Sequence, residues 1–174
     1  MSTCALCLSD KPLAESHVIP SFVFKWLKDT SVTGFIRDVR HGNRRAQDGF
    51  KTPLLCFDCE RMLSRIEGSF KTKIFTEFTD NHLDLSGKIV KGGSLKYEEW
   101  LNKFIVSLVW RSFQSHFFRD YPKGLPKQIV DKIEALLEKW RKYLLGQSDD
   151  YGAITNYLLF LRNFHEVKRD FLPK

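Results

Sequence analysis

Four cysteines stand as two matched pairs, Cys4-x2-Cys7 and Cys56-x2-Cys59, and the 174 residues hold no other cysteine. A gap of two residues sets both thiolates of a pair on one tight turn, and two such knuckles supply the four sulfurs of a tetrahedral Zn2+. Disulfides would need an oxidising compartment, to which nothing in the sequence points. The spacing therefore predicts a structural zinc ion held by Cys4, Cys7, Cys56 and Cys59. Between the pairs, "AESHVIP" at 14–20 carries one histidine before an Ile-Pro turn. Three chemistries are open to His17: a further zinc ligand, a base beside the zinc, or a buried imidazole that caps the turn. His41, His82, His116 and His165 are scattered without ligand spacing.

A second group is basic. Arg37, Arg40, Arg44, Arg45 and Lys51 fall in one short stretch against Asp38 and Asp48. Guanidinium forks match phosphate oxygens, so a nucleic-acid backbone would lie here. A solvated surface, or an Arg45–Asp48 pair shaping the turn, is the plainer alternative. The whole chain carries a net charge of +7, with its excess in residues 1–73 and 121–174. That balance favours a polyanionic partner through counterion release, and it also serves solubility. With 43% apolar and 14% aromatic residues the chain can fill a core. It shows neither a long unbroken apolar run nor a signal-like start, so the expectation is a soluble, cytoplasmic protein without a membrane span.

These residues need elements to position them. Pro20 suits the first turn of a helix, and Phe22, Val23, Trp26 and Leu27 keep helical spacing through about Asp29. "GFIRDV" and "FKTPLL" read as the arms of a β-hairpin with the long tip "RHGNRRAQDG", and Pro53 holds the second arm to an edge. After Cys59 the residues Met62, Leu63, Ile66, Phe70, Ile74 and Phe78 predict a helix of about five turns. Glu67 on it reads as a solvated or ion-paired residue. "DLSGKIVKGGSLKYEEW" marks a boundary, giving a zinc domain over 1–80, a linker over 81–95 and a helical subdomain over 96–174. Within the last, helices are expected from about Lys96 to Phe113, from Ile129 to Leu144 with Gly146 as the stop, and over "AITNYLLFLRNFHEVKRD". Their Trp and Phe stripes read as core, or as a face for a homo-oligomer or partner protein. The fold class expected is α+β, mostly α: knuckle, β-hairpin, knuckle and helix in treble-clef order, then a helical subdomain.

Cys-x2-Cys, the histidine of "SHVIP" and "LLCFDCE" opening a helix together resemble the Cys4-zinc branch of the HNH (ββα-metal) endonucleases over residues 1–75. "SHVIPSFVFKWLK" and "RRAQDG" also resemble uncharacterised bacterial and phage proteins with a helical tail, which implies a part in phage–host conflict. The HNH resemblance implies that the zinc is structural and that His17 is the general base of phosphodiester hydrolysis. It gives the catalytic divalent ion, Mg2+ or Mn2+, to the positions of Ser16 and Glu60, with Ser64 where a second metal-binding histidine commonly sits. The orienting asparagine falls at Lys51, leaving Asn43 in the hairpin tip as the substitute. Glu60 has a simpler reading as negative charge at a helix start. The expectation is a metal-dependent endonuclease; the alternative is a catalytically inactive zinc module that binds nucleic acid or a partner protein.

Overall fold

The structure of the chain, a computed structural model, describes residues 2–38, 41–46, 48–76, 79, 98–115 and 123–156, without the side chains of 37, 38 and 41–44. Its class is α+β and mostly helical. In order come β1 (Leu13–His17), α1 (Ser21–Thr30), β2 (Ile36–Asp38), β3 (His41–Ala46), β4 (Lys51–Cys56), α2 (Phe57–Phe70) with a π-turn over Lys71–Phe75, α3 (Glu99–Gln114) and α4 (Lys127–Leu144). No helix among the described residues is long and apolar enough to cross a membrane.

Local chemistry fixes the helix ends. Pro20 and Pro126 precede α1 and α4 with extended ψ angles of 139°, each excusing the helix one unpaired N–H. Asp58 and Glu60 sit in the first turn of α2, where the helix dipole favours negative charge. Gly146 stops α4 with φ +69°, and the N–H groups of Gly146 and Gln147 reach back to the carbonyls of Tyr143 and Lys142. That pair of bonds is a Schellman stop, and it requires a residue that accepts the left-handed region.

The sheet pairing differs from the expected hairpin. "FKTPLL" does not pair with "GFIRDV": β4 runs antiparallel to β1, while β2, within "GFIRDV", pairs with β3, which lies in the expected hairpin tip. The reason lies in burial. β4 buries Thr52, Leu54, Leu55 and Cys56, and pairing with β1 brings both strands against α2, whereas β3 is polar and basic. The β1–β4 register sets Leu13 opposite Cys56, Ser16 opposite Thr52 and His17 opposite Lys51, with an irregularity between Ala14 and Glu15. This is a bulge: Leu54 is the extra residue, next to Pro53, which has no N–H to give. The Leu54 carbonyl accepts the N–H of Ala5 at 3.0 Å, tying the bulge to the first knuckle.

One core joins the cysteine region to the helices. Cys4, Leu6, Leu55 and Leu63 pack with Val106, Trp110, Trp140, Tyr143 and Leu144. A second cluster holds Phe70, Ile74, Leu101 and Phe104, with the Phe70 and Phe104 rings stacked at 4.0 Å. Trp110, Phe104 and Trp140 are thus taken up by the chain's own core, leaving other surfaces for any oligomer or partner. The expected linker 81–95, most of the final helix, and His82, His116 and His165 lie outside the described residues.

Candidate functional site

The first knuckle is a turn in which Leu8 N–H reaches the Cys4 carbonyl at 2.9 Å, with Leu8 itself at φ 60°. The second knuckle is the junction of β4 and α2. β1–β4 pairing draws the two together until the ligand atoms of Cys4, Cys7, Cys56 and Cys59 all lie within 4.8 Å of one another. Zn–S bonds of about 2.3 Å in a tetrahedron place sulfurs about 3.8 Å apart. Cys7 Sγ and Cys56 Sγ are 3.8 Å apart, and no pair is disulfide-bonded. The Cys56 N–H donates to Cys4 Sγ at 3.2 Å, tying the second knuckle to the first. At Cys7 burial works upward, but hydrogen bonds from Ser9, Cys4 and Cys59 outweigh it and bring the thiol down to about 6. Burial pushes Cys59 well above the usual thiol range. Donor type, number and spacing all fit zinc. Arg141 on α4 closes the site from behind, its Nη1 on the Leu6 carbonyl and its other nitrogens forked onto Glu138.

His17 ends β1 opposite Lys51, at the other end of the β1–β4 pairing from Cys56, with 18% of its side chain exposed. Its Nε2 lies 3.2 Å from Asp48 Oδ2, close but off the line of the ring N–H, so Nε2 has no in-line partner. Asp48 also takes Lys51 Nζ at 2.6 Å and the Gly49 N–H at 2.8 Å. The Lys51 hydrogen bond above all, helped by Gly49 and His17 and opposed by burial, holds the Asp48 carboxyl at about 2. The Phe24 ring of α1 stacks on the imidazole at 6.4 Å between centroids. Gly49 permits this arrangement, because a Cβ there would fall 1.9 Å from the Phe24 ring.

On the other face of β1, Ser16 is fully buried and donates to Glu60 Oε2 at 2.9 Å. Two turns along α2, Glu67 meets Arg111 of α3 at 2.5 Å. Burial raises the Glu67 carboxyl despite that guanidinium. The structure thus brings together the two positions to which the resemblance assigns a divalent ion. Of these positions Glu60 alone offers a carboxylate, Ser16 donating to one of its two oxygens, and Ser64 is exposed. Among the described residues, the four cysteines alone gather three or more His, Cys, Asp or Glu ligand atoms.

Lys51, expected on the basic stretch, stands beside His17 through Asp48. Arg45 is exposed, and its guanidinium lies 4.6 Å over the Phe35 ring rather than shaping a turn with Asp48. Arg37, Asn43 and Arg44 fall on β2 and β3 with side chains outside the described residues, and Arg40 lies outside them altogether. Sequence reasoning missed Asp48 as the partner of His17, and Arg111 entirely. A signal for Arg111 was present: a lone arginine inside the apolar run "LVWRSF". Compared with family models, with curated proteins and with solved structures, the chain matches none.

Proposed function

We propose that the chain is a nucleic-acid endonuclease of the HNH type, built on a treble-clef zinc centre, with His17 as its general base. The observation that supports this most is the approach of His17 Nε2 to Asp48 Oδ2 at 3.2 Å. A carboxylate at Nε2 favours the tautomer that keeps the proton there and leaves the lone pair on Nδ1. Nδ1 then takes a proton from water as its oxygen attacks phosphorus, and the P–O bond to the 3′-oxygen breaks, the leaving oxygen taking a proton from solvent. The imidazolium so formed is stabilised by Asp48, which Lys51 keeps ionised. An off-line contact in the free protein is compatible with this role, since such bonds tighten in the substrate complex. Lys51, Arg45, Arg37 of β2 and Arg44 of β3, with Arg40 from the sequence between them, would hold the backbone. Glu60 would offer Mg2+ or Mn2+ the carboxylate oxygen that Ser16 does not take, and the ion would supply charge stabilisation there.

Among the described residues Glu60 belongs to no group of three ligand residues, which favours a second reading, a zinc module that binds nucleic acid or a partner protein without cleaving. Nicking of supercoiled plasmid separates the two, run with Mg2+, Mn2+ or EDTA and repeated on RNA. The nuclease reading expects cleavage that falls at least ~100-fold in His17→Ala, with zinc content kept. Zinc-loaded protein that binds both nucleic acids and cuts neither establishes the second.

A further inference from the structure

We propose that Arg111 is a positioning residue for His17, which makes α3 part of the candidate active centre rather than an appendage to it. This rests on the nuclease reading above. The Arg111 side chain is 1% exposed, and each of its three guanidinium nitrogens makes one hydrogen bond. Nη2 meets Glu67 Oε1 at 2.5 Å, Nε reaches the Ser107 carbonyl at 3.4 Å, and Nη1 donates to the carbonyl of His17 at 2.8 Å.

A buried Arg–Glu pair is commonly a structural tie, and burying a guanidinium is costly unless every N–H finds an acceptor. What distinguishes this one is its third partner. β1 ends at His17, and the next ladder contact, Val18 N–H to the Phe50 carbonyl, is long at 3.4 Å. Arg111 grips the strand at its last residue. His17 is thereby held from two sides, its imidazole by Asp48 and Phe24 and its backbone by Arg111. Ser16, one residue earlier, is fastened to Glu60 on the same helix that carries Glu67. The histidine's place is therefore set jointly by β1, α2 and α3. A shift of about 1 Å in a catalytic group can cost ~100-fold in rate, so loosening this grip should act on turnover.

The test uses the full, zinc-loaded chain with Arg111→Lys, Arg111→Met and Glu67→Gln. The 1H–15N resonances of the His17 ring, assigned with His17→Ala, and of the Val18 amide report the histidine and the carbonyl bond before it. Arg111→Lys keeps a cation beside Glu67 but has no fork to reach His17 as well. We expect it to shift both sets of resonances and to lower kcat by about 10- to 100-fold with KM little changed. Glu67→Gln keeps the bond to His17 and is expected to lower Tm while the His17 resonances stay in place. Unmoved His17 and Val18 signals in Arg111→Lys would overturn the proposal. So would equal shifts in Glu67→Gln, which would reduce Arg111 to a structural tie. If Arg111→Met fails to fold, the other two variants decide. Should the wild-type chain not nick nucleic acid, the nuclease reading fails, and the resonances alone decide whether Arg111 places His17.

Discussion

Arg141 of α4 and Leu6 of the first knuckle are joined by a hydrogen bond of 3.0 Å, from Nη1 to the backbone carbonyl. They stand 135 residues apart in sequence. The bond runs from a helix near the end of the described chain into the turn between Cys4 and Cys7. Trp140, Tyr143 and Leu144 of the same helix share a core with Cys4 and Leu6.

Metal removal should therefore reach well beyond the cysteines. Structural zinc in small zinc domains contributes about 10–16 kcal/mol to folding. Purified protein is expected to hold about one Zn2+ per chain by elemental analysis. Chelation, or Cys59→Ser, should abolish binding and strip hydrogen-exchange protection from α4 as well as from β1 and β4. Protection that persists in α4 after zinc loss would show that the helices stand without the knuckles.

Arg141 itself can be weighed. Its side chain is 13% exposed, and a hydrogen bond from a charged group to a buried carbonyl contributes about 1.5–3 kcal/mol. For a chain of this length, Arg141→Met should lower Tm by roughly 3–12 °C. Lys11→Met is the control. Its ion pair with Asp58 is largely exposed on both sides, and its loss should move Tm very little.

Asp48 predicts an acid limit. Its carboxyl is held at about 2 in the folded chain against an ordinary 3.8. A carboxyl lowered by folding contributes stability above its unfolded value and loses it as pH falls through the folded one. The contribution should be whole above about pH 4 and fade toward pH 2. Urea midpoints measured from pH 5 to 2 should fall more steeply for the wild type than for Asp48→Asn. Parallel curves would mean that the Lys51–Asp48–His17 contacts do not form in solution.

Gly49→Ala tests the packing around the histidine. The added methyl would sit 1.9–2.3 Å from three atoms of the Phe24 ring, so the ring must swing away. Overpacking of this kind costs about 1–3 kcal/mol. The ring-current shift on the His17 imidazole should change with it, and Phe24→Leu in the same chain should recover part of the stability. Unchanged Tm and an unshifted His17 signal would mean that the loop is looser than the structure has it.

How much of this was legible depended on distance along the chain. The cysteine spacing, the Pro20 start of α1 and the Gly146 stop of α4 are local chemistry, readable from a few residues at a time. β1 was not. "LAESH" has no β-branched or aromatic residue to mark a strand, and its partner lies beyond the whole of α1, β2 and β3. Once β1 was missed, "FKTPLL" was given the nearest arm instead of the right one. The site divides the same way. Ser16 and Glu60 were named from their places beside His17 and Cys59, and they do meet. Asp48 and Arg111 come to His17 from a loop and a helix that only the completed packing brings near.

The long reach of the β1–β4 pairing also sets an order of assembly on a chain made from its amino end. Cys4 and Cys7 leave the ribosome ahead of their partner thiols, which follow some fifty residues later, with a strand that must itself find β1. At about 5–20 residues per second, that leaves the first pair of thiols open for several seconds. Arg111 and Arg141, which brace His17 and the first knuckle, arrive later still. The candidate catalytic strand is thus made well before the elements that lock it in place.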